Sequence, residues 1–187
     1  MKVGEHGEIL VDEHVRTSHS QIWAADDVTG HPQFGYAAAA HGALVVDNAF
    51  GQPRGPDAGL SPPARGHFTR PGIAAAGLTA AQTQRAGYDC ECRILPLEHV
   101  PGAVVNRDTR GLVKLVAERG TGRLLGAHVL AKGAGDVIAI AGYGPHNQMT
   151  LRERSELWCP YLTMAEGLEL AAQIFTRDAT ELTCCAA

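Results

Sequence analysis

The chain has 187 residues, with 16 basic against 20 acidic side chains and a formal net charge of −4. That length provides for one or two small domains, and the charge balance leaves no basic excess for a nucleic-acid partner. No apolar run reaches a membrane span, and the first six residues lack the regions of a signal peptide, so no membrane partner and a cytoplasmic location are expected.

Residues 9–11 and 21–25 read as short apolar strands, with Asp26-Asp27-Val28-Thr29-Gly30 as the turn after them. An alanine-rich helix follows over 36–50, interrupted only by His41 and Gly42. By itself an acidic turn between a strand and a helix is a solvated loop or a cap. Residues 51–66 are dense in glycine and proline and mark a boundary. Beyond it, 67–69 and 73–76 read as extended pieces, 79–86 as a helix capped by Thr79, and 90–95 as a strand. Residues 111–117 and 124–130 form a predicted hairpin around Arg119-Gly120-Thr121-Gly122. Helices are predicted to begin at Val137 and over 151–158, the first kinking or stopping at Gly142, Gly144 and Pro145, since an interior proline costs about 3 kcal/mol. This order fits an α+β layer, antiparallel strands with helices on one face.

The five cysteines are Cys90, Cys92, Cys159, Cys184 and Cys185, an odd and scattered set that implies no disulfide framework and suits a reducing compartment. Cys90 and Cys92 share one face of a strand and read as an incidental pair rather than a ligand pair. Cys159 reads as a small buried residue, the alternative being a relay thiol. The nine histidines show no metal-binding spacing and are assigned no role.

Residues 161–175 read as a helix, with Thr163 and Glu166 at the T-x-x-E capping spacing and Leu168, Ala171, Ala172 and Phe175 on one face. From residue 179 on, a flexible tail is expected, carrying the adjacent Cys184 and Cys185. Thiolates are soft ligands, so such a pair can capture a thiophilic ion and pass it on by ligand exchange. The spacing does not suit a closed zinc site. On the two residues alone, an incidental pair or a strained disulfide remains open.

The segment Cys159-Pro160-Tyr161-Leu162-Thr163-Met164-Ala165-Glu166-Gly167, followed by Leu182-Thr183-Cys184-Cys185-Ala186-Ala187, resembles the end of the mercuric reductase family, a branch of the FAD-dependent pyridine nucleotide:disulfide oxidoreductases. Most of that larger group keeps a histidine acid/base where Tyr161 stands, and a phenol, with an ordinary pKa of about 10, does not replace an imidazole at neutral pH. The resemblance implies that Tyr161 lies near a bound Hg(II) and that Cys184 and Cys185 capture that ion. It leaves Glu166 as a helix cap.

Arg16-Thr17-Ser18 through Ile22-Trp23-Ala24-Ala25-Asp26-Asp27 resembles the family's last FAD-contacting segment, T-S…I-x-A-x-G-D. Asp27 falls on the aspartate that accepts a hydrogen bond from the ribityl chain, and Gly35 on the helix start that faces the flavin ring. Asp26 replaces the family glycine before that aspartate. Asn106-Arg107-Asp108-Thr109-Arg110-Gly111-Leu112-Val113-Lys114-Leu115-Val116 resembles the N-x-D-T-x-G-x-x-K-L-V block of the interface domain, and Phe68-Thr69-Arg70-Pro71 its F-T-x-P. The resemblance therefore implies an antiparallel-sheet dimerisation domain preceded by the end of a FAD-binding domain. The expected layout is 1–50 for the FAD-domain remnant, 51–66 for the linker, 67–178 for the dimerisation domain and 179–187 for the tail.

A homodimer is implied, in which each tail serves the other subunit, together with FAD and NADPH as cofactors of the intact enzyme. No G-x-G-x-x-G follows a strand and no C-x4-C pair is present. The chain resembles only the last third of a full-length member, and alone it is expected to reduce nothing. The alternative reading is a non-catalytic dimerisation module or a gene remnant.

Overall fold

The computed structural model describes residues 1–30, 33–51 and 64–182. The chain divides into two compact units, residues 1–63 and 64–187. Cys184 and Cys185, and most of the glycine- and proline-rich 51–66 segment, lie outside the described residues.

In the first unit the main element is α1, Gly35–Phe50. It buries Ala37, His41 and Leu44, a spacing of three to four residues that makes one inward stripe. The two strands expected over 9–11 and 21–25 are not formed. Only single bridges occur, Val3 with Ile9, Val11 with Thr17 and Arg16 with Trp23. The apolar runs are too short between turns such as that at Asp12, whose carboxylate accepts the N–H groups of His14 and Arg16. The acidic stretch closes as a 3-10 turn, Asp26–Thr29.

The second unit is a five-stranded antiparallel sheet with helices. Its strands are β1 (Arg65–His67), β2 (Gly72–Gly77), β3 (Cys90–Pro96), β4 (Leu112–Glu118) and β5 (Leu124–Ala131), in the order β1-β2-β5-β4-β3. The expected hairpin is thus the β4–β5 pair. The helices are α2 (Ala80–Arg85), α3 (Pro101–Val105), α4 (Ala134–His146), α5 (Leu151–Glu156) and α6 (Glu166–Gln173). Thr79 caps α2 as expected, in a reciprocal box with Gln82.

The register explains where the core lies. Ala74, Val129, Val113 and Leu95 stand opposite one another across β2, β5, β4 and β3. All four are buried, in one cluster with Val137, Ile138 and Ala141 of α4 and Leu168, Ala171 and Ala172 of α6. Side chains alternate across a strand, so this row and the helices occupy one face of the sheet.

One sequence expectation holds only at the proline, where the helix stops, and another fails, both for packing reasons. First, α4 runs through Gly142 and Gly144 and ends one residue past Pro145. A Cβ at Gly144 would meet the Leu124 side chain at 3.2 Å, so the small residues let the helix lie close to the sheet. The proline sits in the last turn, where it interrupts little. Second, the helix predicted over 161–175 spans only Glu166–Gln173, and Thr163 does not cap it. Its hydroxyl donates to the Pro160 carbonyl at 2.8 Å, and the cap position, Ala165, makes no side-chain bond. Residues 161–165 form a loop instead.

Candidate functional site

In the first unit Asp27 and Gly35 flank the start of α1. Asp26 has a φ of 66°, the left-handed region that favours glycine, and aspartate is among the few side chains that tolerate it. The family glycine at this position therefore has a backbone reason, and Asp26 keeps the same conformation at some cost. Its N–H donates to Nδ1 of His41 at 3.1 Å, which ties the turn to α1. His41 is 2% exposed, and accepting at Nδ1 places its ring proton on Nε2. This histidine has a structural role that no sequence spacing indicated. Its only signal was a polar residue on the inward stripe of an alanine-rich helix.

Asp27 is exposed. Its carboxyl is raised above the ordinary range, first by loss of hydration and then by the charge and hydrogen bond of Asp26. At Gly35, the first residue of α1, the place of a Cβ is open space, and the Phe34 and Tyr36 rings on either side stack at 5.2 Å. A helix start presents N–H donors that its own carbonyls do not use. An exposed acceptor and a helix start left open among the described residues fit a polyhydroxyl chain and an electron-rich oxygen on a ring. The Asp26 side chain is the one feature that narrows this fit.

In the second unit Tyr161 stands on the loop over 157–165, between α5 and α6. Trp158 is 100% exposed, Tyr161 57% and Leu162 41%. Ile140 and Tyr143 of α4 and Leu157 are exposed too, and they line an apolar cleft of about 180 Å³. Its one charged lining residue is Arg154 of α5, itself buried.

Two carboxylates hold this loop from beneath. Glu166, 6% exposed, accepts the Gly102 N–H at 2.8 Å, and the Leu162 N–H favours its charged form. Glu169 accepts the Cys159 N–H, and Arg154 acts on it as a neighbouring positive charge. Burial raises both carboxyls above their usual range, more than these bonds and the arginine lower them. Leu162 adopts a φ of 62°, a conformation that a branched side chain takes up only when its surroundings impose it. Gly102 lets the loop come this near, because a Cβ there would clash with the Thr163 carbonyl oxygen.

Glu166 is thus a loop anchor, not the cap expected from T-x-x-E. Cys159 is half-buried, and Arg154 Nη2 donates to its Sγ at 3.5 Å. Among the described residues no three His, Cys, Asp or Glu side chains are placed to share a metal ion, and no helix is long and apolar enough to cross a membrane.

A five-stranded antiparallel sheet packed on helices, preceded by a unit that carries an acidic turn and a helix, has the fold of the dimerisation domain of flavin-linked disulfide reductases. The chain belongs to the pyridine nucleotide-disulphide oxidoreductases, whose dimerisation domain matches residues 63–172. It is 57% identical, over its whole length, to the mercuric reductase of Streptomyces lividans, and 44% identical to that of Staphylococcus aureus. It spans 39% and 34% of those two proteins. The Cu(II) complex of the HOCl-induced flavoprotein disulfide reductase RclA from Escherichia coli is similar in structure, with a TM-score of 0.84 and 27% identity over 92% of this chain and 39% of that one. LpdA from Mycobacterium tuberculosis is similar with a TM-score of 0.79 and 26% identity, over 94% of this chain and 38% of that one.

Proposed function

We propose that this chain is the C-terminal part of a cytoplasmic mercuric reductase, an FAD- and NADPH-dependent enzyme that reduces Hg(II) to Hg(0) as a homodimer. The observation that carries the reading is Tyr161, a phenol in the place of the wider family's histidine, on a loop anchored by Glu166 and Glu169 and followed in sequence by Cys184 and Cys185. Identity to mercuric reductases along the whole chain supports it.

Each group has a role set by its chemistry. Cys184 and Cys185 release their thiol protons to solvent as they bind Hg(II), hold it as two thiolates and pass it by ligand exchange to the partner subunit. Tyr161 offers a hydroxyl oxygen beside the transferred ion without acting as a neutral-pH base. Asp27 would accept a hydrogen bond from a ribityl hydroxyl, and the backbone at Gly35 would lie toward the flavin ring. Flavin, when bound, relays reducing equivalents from the nicotinamide to a dithiol, and both the nicotinamide site and that dithiol belong to the remainder of the intact enzyme. The exposed apolar residues Ile140, Tyr143, Leu157 and Trp158 suit the homodimer contact, and they equally favour a second reading, a dimerisation module without catalysis.

Titrating the purified chain with Hg(II), in the presence of an excess of a monothiol, tests the tail. The Cys184→Ala, Cys185→Ala double variant should lose one tightly held ion per chain. Equal stoichiometry and affinity in the two proteins would refute the role given to the tail.

A further inference from the structure

A second pair of thiols lies on a surface that the proposed function leaves unused. Cys90 and Cys92 occupy alternate positions of β3, so both side chains leave the same face of the sheet. The ladder sets them opposite Glu118 and Val116 of β4. Arg93, next along the strand, points to the other face, where its guanidinium lies 5.6 Å from the Phe175 ring centre below α6. The cysteine face is covered at one end by α2, whose Thr83 is fully buried. The Thr83 hydroxyl donates to the Ala80 carbonyl at 2.7 Å, and its oxygen lies 3.0 Å from Cys90 Sγ. The same hydroxyl is thus shared between the Ala80 carbonyl and Cys90 Sγ, a contact that fixes the position of that thiol against α2.

Both cysteines are half-buried and unbridged, and the Cys90 thiol is a hydrogen-bonding and electrostatic neighbour of Cys92. Burial pushes the Cys92 thiol up, and the charges of Lys114 and Arg93 lower it in part. Glu118 is engaged by the Thr121 hydroxyl at 2.6 Å and by Arg123 at 3.4 Å.

We propose that Cys90 and Cys92 form a second holding site, separate from the tail, for a soft closed-shell cation that accepts two sulfur ligands in line, with Hg(II) as the case to test. The geometry separates this from two other fates of a thiol pair. Alternate residues of an extended strand lie about 6.6 Å apart, near the upper end of about 6.8 Å that a disulfide bridges. Two metal–sulfur bonds of about 2.3 Å each, placed in line, hold the sulfurs about 4.6 Å apart, which suits two side chains rising side by side. Tetrahedral zinc needs four ligands, and among the described residues no third His, Cys, Asp or Glu joins the pair. Soft thiolates select soft ions.

On binding, two S–H bonds release their protons to solvent and two metal–sulfur bonds form, with no change in the oxidation state of sulfur. Burial disfavours the Cys92 thiolate, and the positive charge of Lys114 offsets part of that cost.

The test uses the full chain carrying Cys159→Ala, Cys184→Ala and Cys185→Ala, so that failure of the tail reading leaves it unaffected. Hg(II) chloride is added in the presence of excess 2-mercaptoethanol, the protein is desalted, and bound mercury and reactive thiols are counted. The triple variant should retain one Hg(II) per chain, with both remaining thiols protected from a thiol reagent. Adding C90S or C92S should weaken retention about tenfold or more, with the circular dichroism unchanged. Retention no better than that of the variant lacking all five thiols, or an affinity indifferent to loss of either cysteine, would overturn the proposal. Thiol protection is measured on the triple variant itself, so the result does not depend on how the further substitutions fold.

Discussion

Replacing Glu166 by alanine isolates what holds the Tyr161 loop. The carboxylate is 6% exposed and accepts the Gly102 N–H at 2.8 Å, with the Leu162 N–H as an electrostatic neighbour. A hydrogen bond to a charged group contributes about 1.5–3 kcal/mol net, and an orphaned buried donor costs about 1–3 kcal/mol. Regained hydration of the removed charge offsets part of this, so the net loss should be about 2–4 kcal/mol. For a domain of this size, each kcal/mol lowers Tm by about 3–5 °C, so thermal unfolding followed by circular dichroism should show a fall of about 6–20 °C. Glu166→Gln keeps one acceptor for Gly102 but turns an amide toward Leu162 or the reverse, and should cost about half as much. Limited proteolysis should open the loop over 157–165 in the alanine variant first. A melting point within a degree or two of the parent, or equal losses in the two variants, would refute the anchoring role.

Further outcomes follow from the same geometry. Gly102→Ala should destabilise by about 2 kcal/mol or more, since the added Cβ runs into the Thr163 carbonyl, which is backbone and has little room to yield; a neutral result in urea titration would contradict the close approach. Asp26→Gly should stabilise the first unit by about 1 kcal/mol by relieving a left-handed aspartate, and should lower the Asp27 carboxyl toward its ordinary range. Thermal unfolding and the proton resonances of Asp27 would check the two effects. Glu166 and Glu169 have folded-state values raised above 4.5, so their share of stability is fully present below that pH and is lost as pH rises through the raised values. His128, held below 6.5 by burial, acts in the opposite sense, its share being present above 6.5 and lost as pH falls. Comparing the pH dependence of unfolding in the parent and in Glu166→Gln should show a flatter decline above pH 4.5 in the variant, and an unchanged slope would contradict the assignment.

Much of the sheet was legible because alternation and turn chemistry are local. The β4–β5 hairpin and the Thr79 cap needed no information beyond a few neighbouring residues. Glu166 was misread for the complementary reason. T-x-x-E describes a reciprocal bond within one helix turn, whereas the actual partner of this carboxylate lies 64 residues away, at Gly102. Likewise the glycines of α4 looked like helix breakers until the sheet they pack on was in place. In the first unit, short apolar runs suggested strands that no neighbouring strand completes beyond single bridges. The left-handed backbone of Asp26 was visible only as a departure from a family glycine. The candidate site divided in the same way: Asp27, Gly35 and Tyr161 were marked by motif, while His41, Glu169 and Arg154, which place their surroundings, carry no local pattern.

Whether this chain is the dimerising and mercury-delivering end of a mercuric reductase is tested most directly by completing it. The upstream portion of the Streptomyces lividans mercuric reductase, joined in frame to this chain, restores the length that the chain lacks relative to that protein. The fusion should bind FAD, sediment as a dimer and oxidise NADPH in the presence of Hg(II), and the Cys184→Ala, Cys185→Ala change should abolish most of that Hg(II)-dependent rate while leaving the bound flavin in place. A flavin-loaded dimer that reduces disulfides but leaves Hg(II) untouched would contradict the proposed function.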